Sequence, residues 1–168
     1  MSEPILTTPR VILFDWGDTL MVDDPSQQGK MCLWPKVSAT AGAQDVLKKL
    51  SQHFPIYVAT NAQDSSVADI EAAFSRVDLS QYISGYFCFD NLSVGKDHPD
   101  FYPRIASKLN VDVQDLLMVG DTPDKDIYPA LDAGLQAIWF NPANMTELGS
   151  MTAIQALDEL IALFEIKS

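Results

Sequence analysis

Short apolar runs alternate with helix-patterned segments along the chain, and this alternation restricts the fold more than any other feature of the sequence. Strands joined by helical crossovers pair in parallel, and their helices cover both faces of the sheet. The runs at 10–16 (RVILFDW), 55–60 (PIYVAT), 85–90 (GYFCFD), 115–120 (DLLMVG) and 135–140 (LQAIWF) are the predicted strands. Their near-continuous apolarity suits strands buried on both sides. Helical spacing predicts helices over 39–53, 65–76, 99–109, 124–133 and 152–165, with Pro99 tolerated early in the third and Gly134 placed to end the fourth. The expected architecture is α/β: a doubly wound, Rossmann-like parallel sheet forming a single domain over 1–168.

Charge narrows the partners. The chain carries 23 acidic and 11 basic side chains, a net charge of −12, which repels nucleic acid and anionic lipid at long range. Neither is an expected partner. No apolar stretch approaches the roughly 18–20 residues that span a bilayer, and residues 1–10 lack the pattern of a secretory leader. The two cysteines, Cys32 and Cys88, are far apart and outside metal-ligand spacing, so a cytoplasmic protein with free thiols is expected.

In a doubly wound sheet, ligands sit beyond the carboxyl ends of the strands. Polar residues follow the predicted strands in just that place: Asp15 with Thr19, Thr60 with Asn61, Asp90 with Lys96, and Gly120 with Asp121. Asp15 could attack phosphorus through one oxygen and hold a hard cation through the other, or it could simply cap a turn. Asp121 and Asp126 would join it at the same rim. Three carboxylates there raise one another's pKa unless a divalent cation neutralises them, although N-capping of the next helix is a plainer role for the latter pair. Thr60 and Asn61 could hold a phosphoryl oxygen, and Lys96 could balance the charge of a group in transfer, although a Thr at a strand end can be purely structural and a lone surface Lys merely solvated.

Four segments, taken in order, resemble the motifs of the haloacid dehalogenase superfamily over nearly the whole chain. They are FDWGDTL with Asp15 and Thr19, Val58-Ala59-Thr60-Asn61, KDHPDFY with Lys96, and GDTPDKD at 120–126 followed by ALDAG at 130–134. The resemblance implies a Mg²⁺-dependent phosphatase that hydrolyses phosphomonoesters through an aspartyl-phosphate at Asp15. It also implies that Asp15, the Gly17 carbonyl and Asp121 surround the metal, with Asp126 supporting. Thr60 and Asn61 would then bind the phosphoryl group, and Lys96 would balance its charge.

One position departs from that pattern. The family's general acid/base is an Asp two residues after the nucleophile, where this chain has Gly17, and the next acid is Asp18. A shift of one residue in a turn re-aims a side chain. General acid–base help is worth ~10²–10⁴-fold, so three readings stay open: an enzyme using Asp18 or another group as catalytic base, a slow enzyme, or a phospho-receiver and phosphate-binding module. Aryl and acyl phosphates would suffer least, because their leaving groups hardly need a proton.

Forty-five positions separate Asp15 from Thr60, and thirty-six separate Thr60 from Lys96. Neither interval holds a folded lid beside its predicted elements, so no cap domain is expected and the site should be open. Capless members of the family take large substrates, such as phosphoproteins, or borrow a neighbouring subunit as the lid. The expected partners are therefore a phosphorylated small molecule or phosphoprotein and, in the second case, another copy of the chain as a homo-oligomer. Met31-Cys32-Leu33-Trp34 could form a substrate platform, an interface or packing over the sheet, and Trp16 is expected to pack locally.

Overall fold

In β1, Val11–Phe14, alternate side chains enter two different cores. Ile12 and Phe14 join Val58, Leu117, Val119 and Ile138 on one side of the sheet. Val11 and Leu13 join Leu116, Met118, Ala137 and Phe101 on the other. A strand whose residues all find apolar partners belongs in the middle of a sheet covered on both faces. The computed structural model, which describes residues 7–61, 65–145 and 152–164, places it there.

Among the described residues the sheet has six parallel strands in the order β3-β2-β1-β4-β5-β6. They are β1, β2 (Ile56–Ala59), β3 (Gly85–Phe87), β4 (Leu116–Gly120), β5 (Gln136–Phe140) and β6 (Ala153–Ile154). From β1 the chain winds outward through β2 and β3, then returns to the other side of β1 for β4. The reversal opens a crevice between the carboxyl ends of β1 and β4. Phe14 lies opposite Val119 in that pair, so the residues that follow, Asp15 and Gly120–Asp121, emerge side by side.

The helices are α1 (Ala43–Leu50), α2 (Val67–Ser75), α3 (Phe89–Leu92), α4 (Phe101–Leu109), α5 (Tyr128–Asp132) and α6 (Glu159–Leu163). Val46, Leu47 and Leu50 of α1, with Ile70 and Phe74 of α2, cover the first face. Ile105 and Ala106 of α4 and Ala130 of α5 cover the second. Ser66 begins α2 with a reciprocal cap, its hydroxyl accepting from the Asp69 amide while the Asp69 carboxylate accepts from the Ser66 amide. Gly134 follows α5 at φ +97°, the left-handed conformation expected of a residue that closes a helix. Among the described residues no helix is long and apolar enough to cross a membrane, and both cysteines are free thiols.

The expected doubly wound sheet is present, with corrections at its edges. The run 85–90 stops being a strand at Phe87, and Asp90 lies in α3, where its carboxylate accepts from the Val67 amide at 3.3 Å. The helix expected over 124–133 opens as a wide π-type turn, Pro123–Ile127, and becomes regular only at Tyr128. The helix expected over 152–165 begins at Glu159, and residue 165 lies outside the described residues. Ahead of that helix, Ala153–Ile154 pair with Trp139 and Phe140. Ile154, Leu157 and Leu160 then bury themselves against the first core, so the last segment shields the edge of β5 before turning helical.

Candidate active site

The carboxyl end of β1 delivers Asp15, whose amide still donates to the Val119 carbonyl at 2.9 Å and so fixes its backbone on the β4 ladder. The ammonium of Lys96 meets Asp15 Oδ1 at 2.7 Å and Asp126 Oδ1 at 2.7 Å. Lys96 is 2% exposed, so these bonds form where water does not compete. The loop holding it is tied from beneath: the Lys96 amide donates to Asn61 Oδ1 at 2.9 Å. Asn61 thus sets the position of Lys96 while lining the same cleft.

Asp126 reaches the strand end because Gly120 has no side chain. A Cβ there would lie 2.3 Å from Asp126 Oδ2, a distance no side chain tolerates. The π-type turn delivers the carboxylate, which also accepts from the Thr122 amide at 3.1 Å. Asp121 lies opposite. The Thr19 hydroxyl stands 3.4 Å from Asp121 Oδ1 and 3.5 Å from Asp15 Oδ2, bridging the two acids weakly.

Asp15, Asp121 and Asp126 each offer a carboxylate oxygen, and the three oxygens lie within 4.8 Å of one another. One ammonium against three carboxylates leaves an excess of negative charge. Burial, followed by the Asp15 and Asp126 carboxylates, pushes Asp121 up to about 7. Burial likewise pushes Asp126 up to about 6, against the pull of Lys96. Burial alone would discharge Lys96, but Asp15 and Asp126 outweigh it and hold the ammonium charged well above its ordinary range. A set of hard oxygen donors with surplus negative charge suits a small divalent cation.

The charge excess has a consequence for stability. A carboxyl whose pKa is higher in the folded than in the unfolded chain binds more protons when folded, so its contribution is fully present below the unfolded pKa and is lost as pH rises through the folded value. In chelator, the melting temperature should therefore fall between pH 5 and pH 8, by roughly 5 °C on the usual scale for a domain of this size. Magnesium should raise it more at pH 8 than at pH 5. Thermal melts at the two pH values, with EDTA and with Mg²⁺, measure this, and a melting temperature in EDTA that rises over the window contradicts it. Asp24 and Asp69, lowered by hydrogen bonds from Ser26 and Lys30, pull the other way only at more acidic pH.

The cleft above these groups is open, with a volume of about 440 Å³, and Asp15, Gly17, Asp18, Thr60, Asn61, Lys96, Asp121 and Asp126 all line it. The residues expected from the sequence to hold a metal or a phosphoryl group are thus brought to one place. Thr60 is buried at the end of β2, its amide donating to the Phe87 carbonyl at 2.9 Å. Asp18 is exposed, at φ +58°, and its Oδ1 accepts from the Asp23 amide at 3.0 Å.

Asp23, Lys30 and Arg76 carried no sequence signal as contributors to the site, unlike the apolar stretch Met31-Cys32-Leu33-Trp34. The chain leaves the site after Val22 and returns at Ser38, where the two are joined by a backbone hydrogen bond of 2.9 Å. The strap between them brings Asp23, Lys30, Met31 and Trp34 to the cleft. Arg76, just past α2, holds it by donating to the Cys32, Trp34 and Pro35 carbonyls. Lys30 pairs with Asp69 of α2 at 2.8 Å. Met31 and Trp34 are buried against the first core, Leu33 points outward at 77% exposure, and Trp16 packs 6.2 Å from the Phe74 ring. Partial burial, then the charges of Asp18, Asp24 and Asp15, raise the Asp23 carboxyl above its ordinary value.

Comparison with known proteins gives this geometry a context. Residues 27–134 match the model of the haloacid dehalogenase-like hydrolases, a stretch that begins downstream of Asp15. Glyceraldehyde 3-phosphate phosphatase of Pyrococcus abyssi is 34% identical over 65 residues, 39% of this chain and 27% of that protein. The 5-amino-6-(5-phospho-D-ribitylamino)uracil phosphatase YigB of Escherichia coli is 28% identical over 109 residues, 65% of this chain and 42% of that protein. The chain thus matches less than half the length of these curated relatives. Among solved structures, the putative HAD-hydrolase YfnB of Bacillus subtilis, crystallised with magnesium, superposes at a TM-score of 0.78. It is 15% identical, with 95% of this chain and 100% of that one covered. The 2-haloacid dehalogenase of Pseudomonas syringae superposes at 0.76 and is 18% identical over 94% of this chain and 99% of that one. Identities that low establish the fold, and the sequence match to the family model establishes descent: this chain belongs to the haloacid dehalogenase-like hydrolases.

Proposed function

We propose that this protein is a Mg²⁺-dependent phosphatase that hydrolyses small phosphomonoesters through an aspartyl-phosphate at Asp15. The observation carrying this reading is the buried Lys96 ammonium, 2.7 Å from both Asp15 and Asp126, beside a third carboxylate on the opening of an exposed cleft. An ion pair used only for stability has no need of the surplus acids, since buried charge is costly unless fully matched. In our reading Asp15, the Gly17 carbonyl and Asp121 hold the metal with Asp126 in support, and the bound ion supplies Lewis-acid neutralisation of a phosphoryl oxygen. Lys96 holds the Asp15 carboxylate in place for attack and offsets the charge of the transferring group. Thr60 and Asn61 border the position of the phosphoryl oxygens. Small substrates are favoured by the relatives, which are named as phosphatases of glyceraldehyde 3-phosphate and of a phosphoribitylamino-uracil.

The test is phosphate release from a panel of phosphomonoesters. We expect turnover with Mg²⁺ that falls by about 100-fold or more in EDTA, the scale of lost metal stabilisation of charge in the transition state. A panel showing no Mg²⁺-dependent release on any member rejects the reading.

A further inference from the structure

Gly17 lacks a side chain, yet a carboxylate stands beside the space that a side chain there would enter. Asp23 Cβ lies 3.4 Å, and its Oδ2 3.7 Å, from the position a Cβ on residue 17 would take. Asp23 is six residues further along the chain and comes back because the turn closes on itself. The Asp18 amide donates to the Met21 carbonyl at 2.6 Å, and Asp18 Oδ1 accepts from the Asp23 amide at 3.0 Å. Asp18 adopts φ +58° to do so, a left-handed conformation that Asp tolerates better than most residues. Both acids border the cleft that Asp15 lines, but Asp18 Oδ1 is engaged by the Asp23 amide, whereas the Asp23 carboxylate is the one that stands beside the space a side chain at residue 17 would fill.

We propose that Asp23 is the catalytic acid and base of this enzyme, replacing from the strap the side chain that Gly17 lacks, and that Asp18 is the residue positioning it. The inference rests on the aspartyl-phosphate reading above. In the first step an Asp15 oxygen bonds to phosphorus, the bond from phosphorus to the leaving oxygen breaks, and the Asp23 carboxyl gives its proton to that oxygen. In the second, water bonds to phosphorus and the bond to Asp15 breaks. Asp23, now a carboxylate, takes the proton that the water loses. Inorganic phosphate leaves, and both acids return to their starting states.

The experiment compares the native protein, Asp23→Asn, and the double variant Asp23→Asn with Gly17→Asp. The second change is sterically allowed, because a Cβ at residue 17 meets ordinary contact distances and its backbone φ is not positive. We expect Asp23→Asn to lose ~10²–10³-fold in kcat/KM on glycerol phosphate, whose alkoxide needs a proton. On p-nitrophenyl phosphate, whose leaving group does not, the loss should stay below about tenfold. The adduct formed with acetyl phosphate, followed by intact mass, should persist about 10²-fold longer in Asp23→Asn. The double variant should recover the alkyl substrate. Equal losses on both substrates, or an adduct lifetime that does not change, overturn the role of Asp23. Native protein that neither forms an Asp15-dependent adduct nor releases phosphate overturns the phosphatase reading instead.

Discussion

Replacing Asp15 by Asn should reduce phosphate release by at least about 10⁴-fold, as expected when the proposed nucleophile is removed, while leaving the metal-free protein as stable as the native one or more so. The two halves of this expectation come from one charge count. Asn keeps the shape of Asp and a carbonyl oxygen for Lys96, but it is not a nucleophile toward phosphorus. It also removes one of three crowded negative charges, leaving Lys96 matched by Asp126 at 2.7 Å. Asp15 is, after burial, the main cause of the raised pKa of Asp121, so Asp121 should move back toward the ordinary carboxyl range in the variant. The fall in melting temperature between pH 5 and pH 8 in EDTA should flatten with it. Phosphate assays and thermal melts on the same preparation measure both. An Asp15→Asn protein that melts several degrees below the native one at pH 8 in chelator contradicts the charge argument, whatever its activity.

The legibility of this site in the sequence follows from where parallel strands end. Asp15, Thr60 and Asp121 each follow an apolar run, and parallel strands place their carboxyl ends on one edge, so three distant residues can be assigned to one rim from strand order alone. The pairing of Lys96 with Asp126 is less legible. The residues are thirty positions apart, and the distance between them depends on a glycine contact and a π-type turn that interrupts what helical spacing presents as one helix. Pro123 and Pro129 sit at the starts of the two pieces, and only the second piece is regular. Asp23 is not legible as a site residue. It lies in a segment with neither helical nor strand period, where Asp23-Asp24-Pro25 reads as a turn, and its approach to Gly17 is set by hydrogen bonds across that turn. Periodicity reports which face of a regular element is buried, and it says nothing about a loop that folds back on itself. The same holds for Arg76, whose role is to hold carbonyls of the strap and which on helical spacing alone is one more surface cation.

Lys96→Met should be the most destabilising single change at this site, an effect on stability opposite in sign to that of Asp15→Asn. Methionine fills the volume of the lysine stem, so packing is nearly conserved. What is lost is the cation. Asp15, Asp121 and Asp126 are left facing one another with no cation among them, and removing one member of a buried ion pair costs about 3–5 kcal/mol. Part of that cost can be avoided by binding a proton, so the variant should melt closer to the native temperature at pH 5 than at pH 8. Part can be offset by Mg²⁺, which should stabilise the variant by more degrees than it stabilises the native protein. Turnover should fall by ~10²–10³-fold, the usual scale for removing one preorganised charge at a transferring group. Lys96→Arg should not restore it, because a planar five-donor fork cannot replace a compact ammonium enclosed at 2% exposure. The decisive measurement is the double variant Asp15→Asn with Lys96→Met. If the damage arises from uncompensated charge, deleting a carboxylate together with the lysine should recover a large part of the stability that Lys96→Met loses alone, a non-additivity expected for groups in direct contact. Simple addition of the two single effects would mean that Lys96 stabilises the fold through its packing, and the electrostatic basis of the site would then fail.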